Sequence, residues 1–126
     1  NGQVLTTNGS GTLSFQDAAG GIDSGSITTT STSATNLDTF ATNSVRSANY
    51  YVSISDSTSG DYQFTELNIV HDGTSAYISQ YGTVLTGSSE LATFSVDINI
   101  GTLRVRVTPA STNSTVFKFK KITVAV

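Results

Sequence analysis

From residue 37 onward, apolar and polar positions alternate with a period of two. In VRSANYYVSIS (45–55), Arg46, Ala48, Tyr50, Val52 and Ile54 fall on one face. Ser47, Asn49, Tyr51, Ser53 and Ser55 fall on the other, the pattern of a half-buried strand. DSTSGD (56–61) reads as a turn. YQFTELNIVH (62–71) follows with a less regular alternation through Leu67, Ile69 and Val70. Asp72-Gly73 is a strong hairpin signal, so 62–71 and 75–81 are expected to pair antiparallel. GTVLTGSSE is a connection with room for a short strand at 83–85. LATFSVDINI places Phe94, Val96, Ile98 and Ile100 opposite Ser95, Asp97 and Asn99. Gly101-Thr102 turns the chain into LRVRVT, with Leu103, Val105 and Val107 inward and Arg104 and Arg106 outward. Pro109 removes a donor and ends that strand. In TVFKFKKITVAV, Phe117 and Phe119 alternate with Lys118 and Lys120. After Lys121 the apolar phase flips to Ile122, Val124 and Val126, which predicts a β-bulge. About six to eight strands at intervals of about 10 to 14 residues predict an all-β protein. The expected architecture is an antiparallel β-sandwich, jelly-roll-like or Greek key.

The first residues differ. Residues 3–7 and 11–15 flank NGSG, and Asn8-Gly9 favours the positive φ of a hairpin turn. Val4, Leu5, Leu13 and Phe15 are too few for a core, so this ribbon needs a partner. Residues 17–36 are small, polar and glycine-rich. They read as a linker with one short strand near 27–30, an edge strand packed on the domain being the alternative. The expected organisation is a hairpin connector (1–16), a Ser/Thr/Gly-rich linker (17–36) and a β-sandwich domain (37–126). A chain opening inside a hairpin, without methionine, is expected to be the end portion of a longer protein.

Composition narrows the function classes. The chain has 126 residues and no cysteine, so packing or assembly must supply its stability. Charged residues are 12%, about half the usual share, and Ser, Thr, Asn and Gly carry the polar surface. A net charge of −3 offers no basic field for nucleic acid. No apolar run reaches the length of a membrane helix, and no signal peptide is visible.

Candidate chemistry is sparse. His71 is the single histidine and reads as a strand-end residue beside a turn. Asp56 and Asp61 bracket a turn and Asp23 sits in GIDSG, but the spacing lacks the ladder of a calcium loop. No metal and no other cofactor is expected. Glu66 and Glu90 are the only glutamates, and nothing marks a glycosidase pair. Arg46 shares the inward face of its strand and needs a partner, for which Glu66 is preferred as a structural ion pair. Tyr50, Tyr51, Tyr62, Tyr77 and Tyr81 lie on three neighbouring strands, where exposed tyrosines stack on sugars or fill interfaces. Arg104, Arg106, Lys118 and Lys120 are read as a basic stripe over two paired strands, a solvated face that guards against edge aggregation. The candidate binding surface combines Tyr51, Tyr77 and Tyr81 with the turn aspartates Asp56, Asp61 and Asp72. The loop at 110–115 belongs to the same candidate surface.

GQVLTTNGSGTLSF (2–15) resembles a recurring segment of bacteriophage tail fibres, with Phe15 where tryptophan is frequent. DTFATNSVRSANYYVSIS, DYQFTELNIVHDGTSAYISQYGTV and VFKFKKITV resemble a β domain of virion proteins of marine phages, especially those of cyanobacteria. The resemblance implies a non-enzymatic virion structural protein, a tail-fibre or other appendage domain outside the cell. It implies homotrimers, contacts with other virion proteins and attachment to a host surface glycan, and no catalytic residue carries over. Two alternatives remain: a secreted bacterial carbohydrate-binding module or adhesin, and a capsid decoration protein.

Overall fold

The computed structural model describes residues 3–7, 9–17 and 22–126. Ten strands run in chain order: β1 (Gln3–Thr7), β2 (Leu13–Asp17), β3 (Asp23–Thr29), β4 (Thr35–Ala41), β5 (Val45–Asp56), β6 (Asp61–His71), β7 (Ala76–Leu85), β8 (Ala92–Asn99), β9 (Thr102–Pro109) and β10 (Thr115–Ala125). The described residues contain no helix. β1 and β2 form a separate two-stranded ribbon, Gln3 opposite Asp17 and Thr7 opposite Leu13. Its turn is longer than the sequence predicts, with Gly9 and Gly11 both at positive φ. Leu5 and Leu13 remain exposed.

The other eight strands make the expected antiparallel sandwich. One sheet has the order β3-β10-β5-β6-β7 and the other β4-β9-β8. β10 lies between β3 and β5, and β9 beside β4, the interleaving of a jelly roll. The β6–β7 hairpin stays in the larger sheet. The inward residues of both sheets close one core, with Tyr50, Val52, Ile54, Leu67 and Phe117 from the larger sheet against Leu103, Val105 and Val107 from the smaller. The period-two pattern thus marks most inward positions, because each sheet buries one side only, but Ile100, expected inward with Phe94, Val96 and Ile98, lies beyond the end of β8 in the turn to β9 and is exposed.

The edge-strand alternative for 17–36 describes what is seen at its centre. β3 pairs along β10 from Asp23 opposite Lys121 to Thr29 opposite Thr115, and β4 starts at Thr35. Residues 18–21 of that stretch lie outside the described residues. Gly25 holds β3 in place: an added Cβ would stand 2.5 Å from the Phe119 ring, which covers the glycine from β10. The sequence read a flexible glycine where the sheet uses a flat one.

The predicted bulge at Lys121 is corrected. β10 keeps its register on β5 through Val124, shifting only between Val124 and Ala125. Lys121 occupies an inward position in phase with Phe117 and Phe119, so it is the side chain and not the backbone that breaks the apolar pattern. Its ammonium lies 2.6 Å from Asp38 Oδ2. The same oxygen accepts the Tyr50 hydroxyl at 2.8 Å. Asp38 reaches the core because β4 shifts register between Asn36 and Asp38. Burial, then the charge of Asp38 and its hydrogen bond, push the Tyr50 phenol well above its usual range.

Candidate functional site

The outer face of the larger sheet gathers the tyrosines. Antiparallel register places Lys118, Ser53 and Phe64 in one row across β10, β5 and β6. The next row is Lys120, Tyr51, Glu66 and Tyr81, reaching β7. Then come Ile122, Asn49, Asn68 and Ser79, and finally Val124, Ser47, Val70 and Tyr77. Tyr51, Tyr62, Tyr77 and Tyr81 are all exposed, whereas Tyr50 is fully buried on the opposite side. Two depressions mark this face. One of about 490 Å³ is lined by Asn49, Asn68, Val70, Tyr77 and Ile122 among others. One of about 670 Å³ is lined by Tyr51, Ser53, Phe64, Lys118 and Lys120 with the serines of β3.

Hydrogen bonds fix the centre of the face. Asn49 Nδ2 donates to Asn68 Oδ1 at 2.7 Å and reaches the Tyr81 hydroxyl at 3.5 Å. The Glu66 carboxylate facing the Tyr81 hydroxyl raises the phenol above its usual range. An amide pair, a carboxylate and a phenol thus form a pre-set polar row between aromatic shelves.

The predicted turn aspartates divide: Asp56 and Asp72 each use one carboxylate oxygen to hold the turn that carries them, and the other oxygen of Asp72 accepts the hydroxyl of Tyr77, at the edge of this face, at 3.5 Å. Asp56 is buried, not displayed. One oxygen accepts the Thr58 and Ser59 amides at 3.0 and 3.1 Å, and the other accepts Asn113 Nδ2 at 2.8 Å. These bonds, the one from Asn113 foremost, hold its carboxyl below the usual range. Asp72 accepts the Thr74 and Ser75 amides at 2.8 and 2.7 Å, with the same effect on its carboxyl. Asp61 is half-buried with its carboxylate against Gly87, at the opposite end of β6 from Asp72.

The Arg46–Glu66 ion pair is corrected as well. Glu66 stands opposite Tyr51 on the outer face, while Arg46 sits near the start of β5 and donates to the His71 carbonyl at 2.9 Å. His71 is a structural clasp: Nδ1 accepts the Gly73 amide at 3.0 Å, so Nε2 carries the proton and donates to the Val45 carbonyl at 2.6 Å. The basic stripe over paired strands is absent too, because β9 and β10 belong to different sheets. Arg104 forms a two-point ion pair with Asp97 across β8 and β9, its Nε at 2.6 Å from Oδ1, and Arg106 lies 3.8 Å from the same carboxylate. Sequence reasoning found the tyrosines but missed Phe64, Asn49, Asn68 and Glu66 as their companions. The strict alternation of β5 and β6 carried that information.

No family model and no curated protein matches the chain. The fold recurs in a bacteriophage tailspike. The tailspike protein of Acinetobacter phage vB_ApiP_P1 matches at a TM-score of 0.50 and 17% identity, over 81% of this chain and 21% of that one. The tailspike of Acinetobacter baumannii phage AM24 matches at 0.45 and 6%, over 83% of this chain and 26% of that one. The chain therefore spans between a fifth and about a quarter of the length of these tailspikes. The likeness to the vB_ApiP_P1 tailspike is one of fold.

Proposed function

We propose that this chain is an appendage domain of a bacteriophage tail, built for assembly and for attachment to the host surface, with no catalysis of its own. The observation that carries the reading is the sandwich, whose fold recurs as a part of the phage vB_ApiP_P1 tailspike. Two features support it. The fibre-like segment 2–15 contributes β1 and β2, a ribbon that pairs only with itself among the described residues and leaves Leu5 and Leu13 exposed. Such a ribbon is marginal alone and gains stability from neighbouring copies. Two of the turn aspartates, Asp56 and Asp72, are committed to the amides of their own turns. The assembly is a homotrimer that contacts other virion proteins, in the outward part of the particle. The marine-phage setting rests on the sequence resemblance.

Two measurements test the reading. Light scattering of the purified chain should give about three times its 13.1 kDa mass, and peptides of the chain should occur in density-purified phage particles. A monomer absent from particles overturns it. The exposed tyrosines favour a second reading, a secreted carbohydrate-binding module, which predicts that monomer with saturable glycan binding.

A further inference from the structure

The chain has six cationic side chains. Four are engaged: Arg46 with the His71 carbonyl, Arg104 and Arg106 with Asp97, and Lys121 with Asp38. Lys118 and Lys120 have no hydrogen-bond or ion-pair partner among the described residues. Both stand on the outer face of β10, two residues and so about 7 Å apart along the strand. Both line the same depression, together with Tyr51 and Phe64 and the serines Ser24, Ser26 and Ser53, and no carboxylate lines it. Protection of a sheet edge does not explain them, because β10 is an interior strand between β3 and β5. A protein partner fits poorly, since lysine is depleted from the cores of protein interfaces.

We propose that this depression binds an acidic oligosaccharide, a glycan chain carrying carboxylate sugars. A sugar ring stacks on the exposed Tyr51 face, as amphipathic rings do on tyrosine. The two ammonium groups make charge-assisted hydrogen bonds to sugar carboxylates. The three serine hydroxyls donate to and accept from ring hydroxyls. A volume of about 670 Å³ lies within the range of small-ligand sites. The amide pair Asn49–Asn68 extends the polar track toward Tyr77 for further sugars. This inference deepens the attachment role proposed above and rests on that reading for its setting. The binding test does not depend on oligomeric state or particle composition, so failure of one is distinguishable from failure of the other.

Calorimetric titration of the full chain uses a panel of acidic oligosaccharides (oligogalacturonate, oligoalginate, hyaluronan fragments and oligosialic acid) and a neutral maltooligosaccharide of matched length. At least one acidic probe should saturate, more tightly than the neutral one, and weaken as ionic strength rises. Lys118→Gln and Lys120→Gln should each cost about tenfold in affinity and the pair more, the scale of losing a charged hydrogen bond. Tyr51→Ala should weaken every binding probe, while Thr93→Ala, on the outer face of the other sheet, should change nothing. The lysine variants are exposed and should melt with the parent. Saturation by no acidic probe, equal binding of the neutral probe, or an unchanged affinity in the double lysine variant each overturns the proposal.

Discussion

Replacing Asp38 by alanine removes one carboxylate and strands two partners. The Tyr50 hydroxyl, on a residue with no exposed surface, loses its acceptor at 2.8 Å. Orphaning a buried hydroxyl costs about 1–3 kcal/mol. The Lys121 ammonium, whose side chain is 12% exposed, loses its counter-ion at 2.6 Å. Breaking a buried ion pair costs about 3–5 kcal/mol, and an exposed one contributes about 0–1. Asp38 itself is 20% exposed, so the ammonium can turn partly to water, and the lower part of the buried range applies. The combined loss is about 4–6 kcal/mol, a large share of the 5–15 typical of a domain. With no tryptophan in the chain, urea unfolding is best followed by circular dichroism. A slope of about 2 kcal/mol/M turns that loss into a midpoint shift of about 2–3 M.

A double-mutant cycle separates the two partners. Tyr50→Phe removes the donor and its need together, and should cost only about 1 kcal/mol. Lys121→Met in the Asp38→Ala background should recover stability, because the stranded charge is gone. If Asp38→Ala shifts the midpoint by less than about 0.3 M, or if Lys121→Met adds its full cost independently, the reasoning fails.

Three further outcomes follow from the geometry. Gly25→Ala brings a Cβ to 2.5 Å from the Phe119 ring, which is itself packed on Tyr50. Despite the gain expected from removing a strand glycine, it should lower stability by about 1–2 kcal/mol, and Gly25→Ala with Phe119→Leu should recover part of that in urea unfolding. Ile100 tips the β8–β9 turn at φ 48° and is 96% exposed, so its branched side chain carries left-handed strain without burial. Ile100→Asn should raise the melting midpoint by a few degrees, about 0.5–1 kcal/mol, and no change would show that the turn carries no such strain. The folded-state pKa values of Asp56, Asp72 and Asp97 lie below the ordinary 3.8. Their stabilisation is therefore complete above that value and is lost as pH falls through the lowered ones. Unfolding midpoints should be flat near neutrality and drop steeply below about pH 4, and Asp56→Asn should shallow the drop.

The sandwich was legible because both sheets bury one face, so period-two alternation reports inward and outward directly. The pairing of side chains was less so. In the β5–β6 hairpin, charge alone points to Glu66 as the partner of Arg46. Counting back from the closing pair Asp56 and Asp61 instead brings Arg46 opposite His71, whose carbonyl it binds, and sends Glu66 outward beside Tyr51. Register alone, fixed by the turn, would have corrected the pair and placed Glu66 with the tyrosines.

Lys121 poses a harder problem, because a flip in apolar phase has two physical causes. The backbone can gain a residue, or a charged side chain can take an inward position and apolar ones an outward position. Only the second leaves a buried charge, and it requires an opposite charge at a matching inward position. That partner, Asp38, is hidden by an irregularity of its own. β4 shifts register between Asn36 and Asp38, so the alternation that would mark Asp38 as inward is broken at the decisive step. Each strand, read singly, looks flawed: β10 has a charge among apolar residues, and β4 loses its period. Brought together across the two sheets, 83 residues apart in the chain, the flaws complete one another as an ion pair with Tyr50 as third member. A reading confined to one strand cannot detect compensation between sheets. Ile122 and Val124 follow from the same step, since the in-register strand that turns Lys121 inward turns both of them out to the surface.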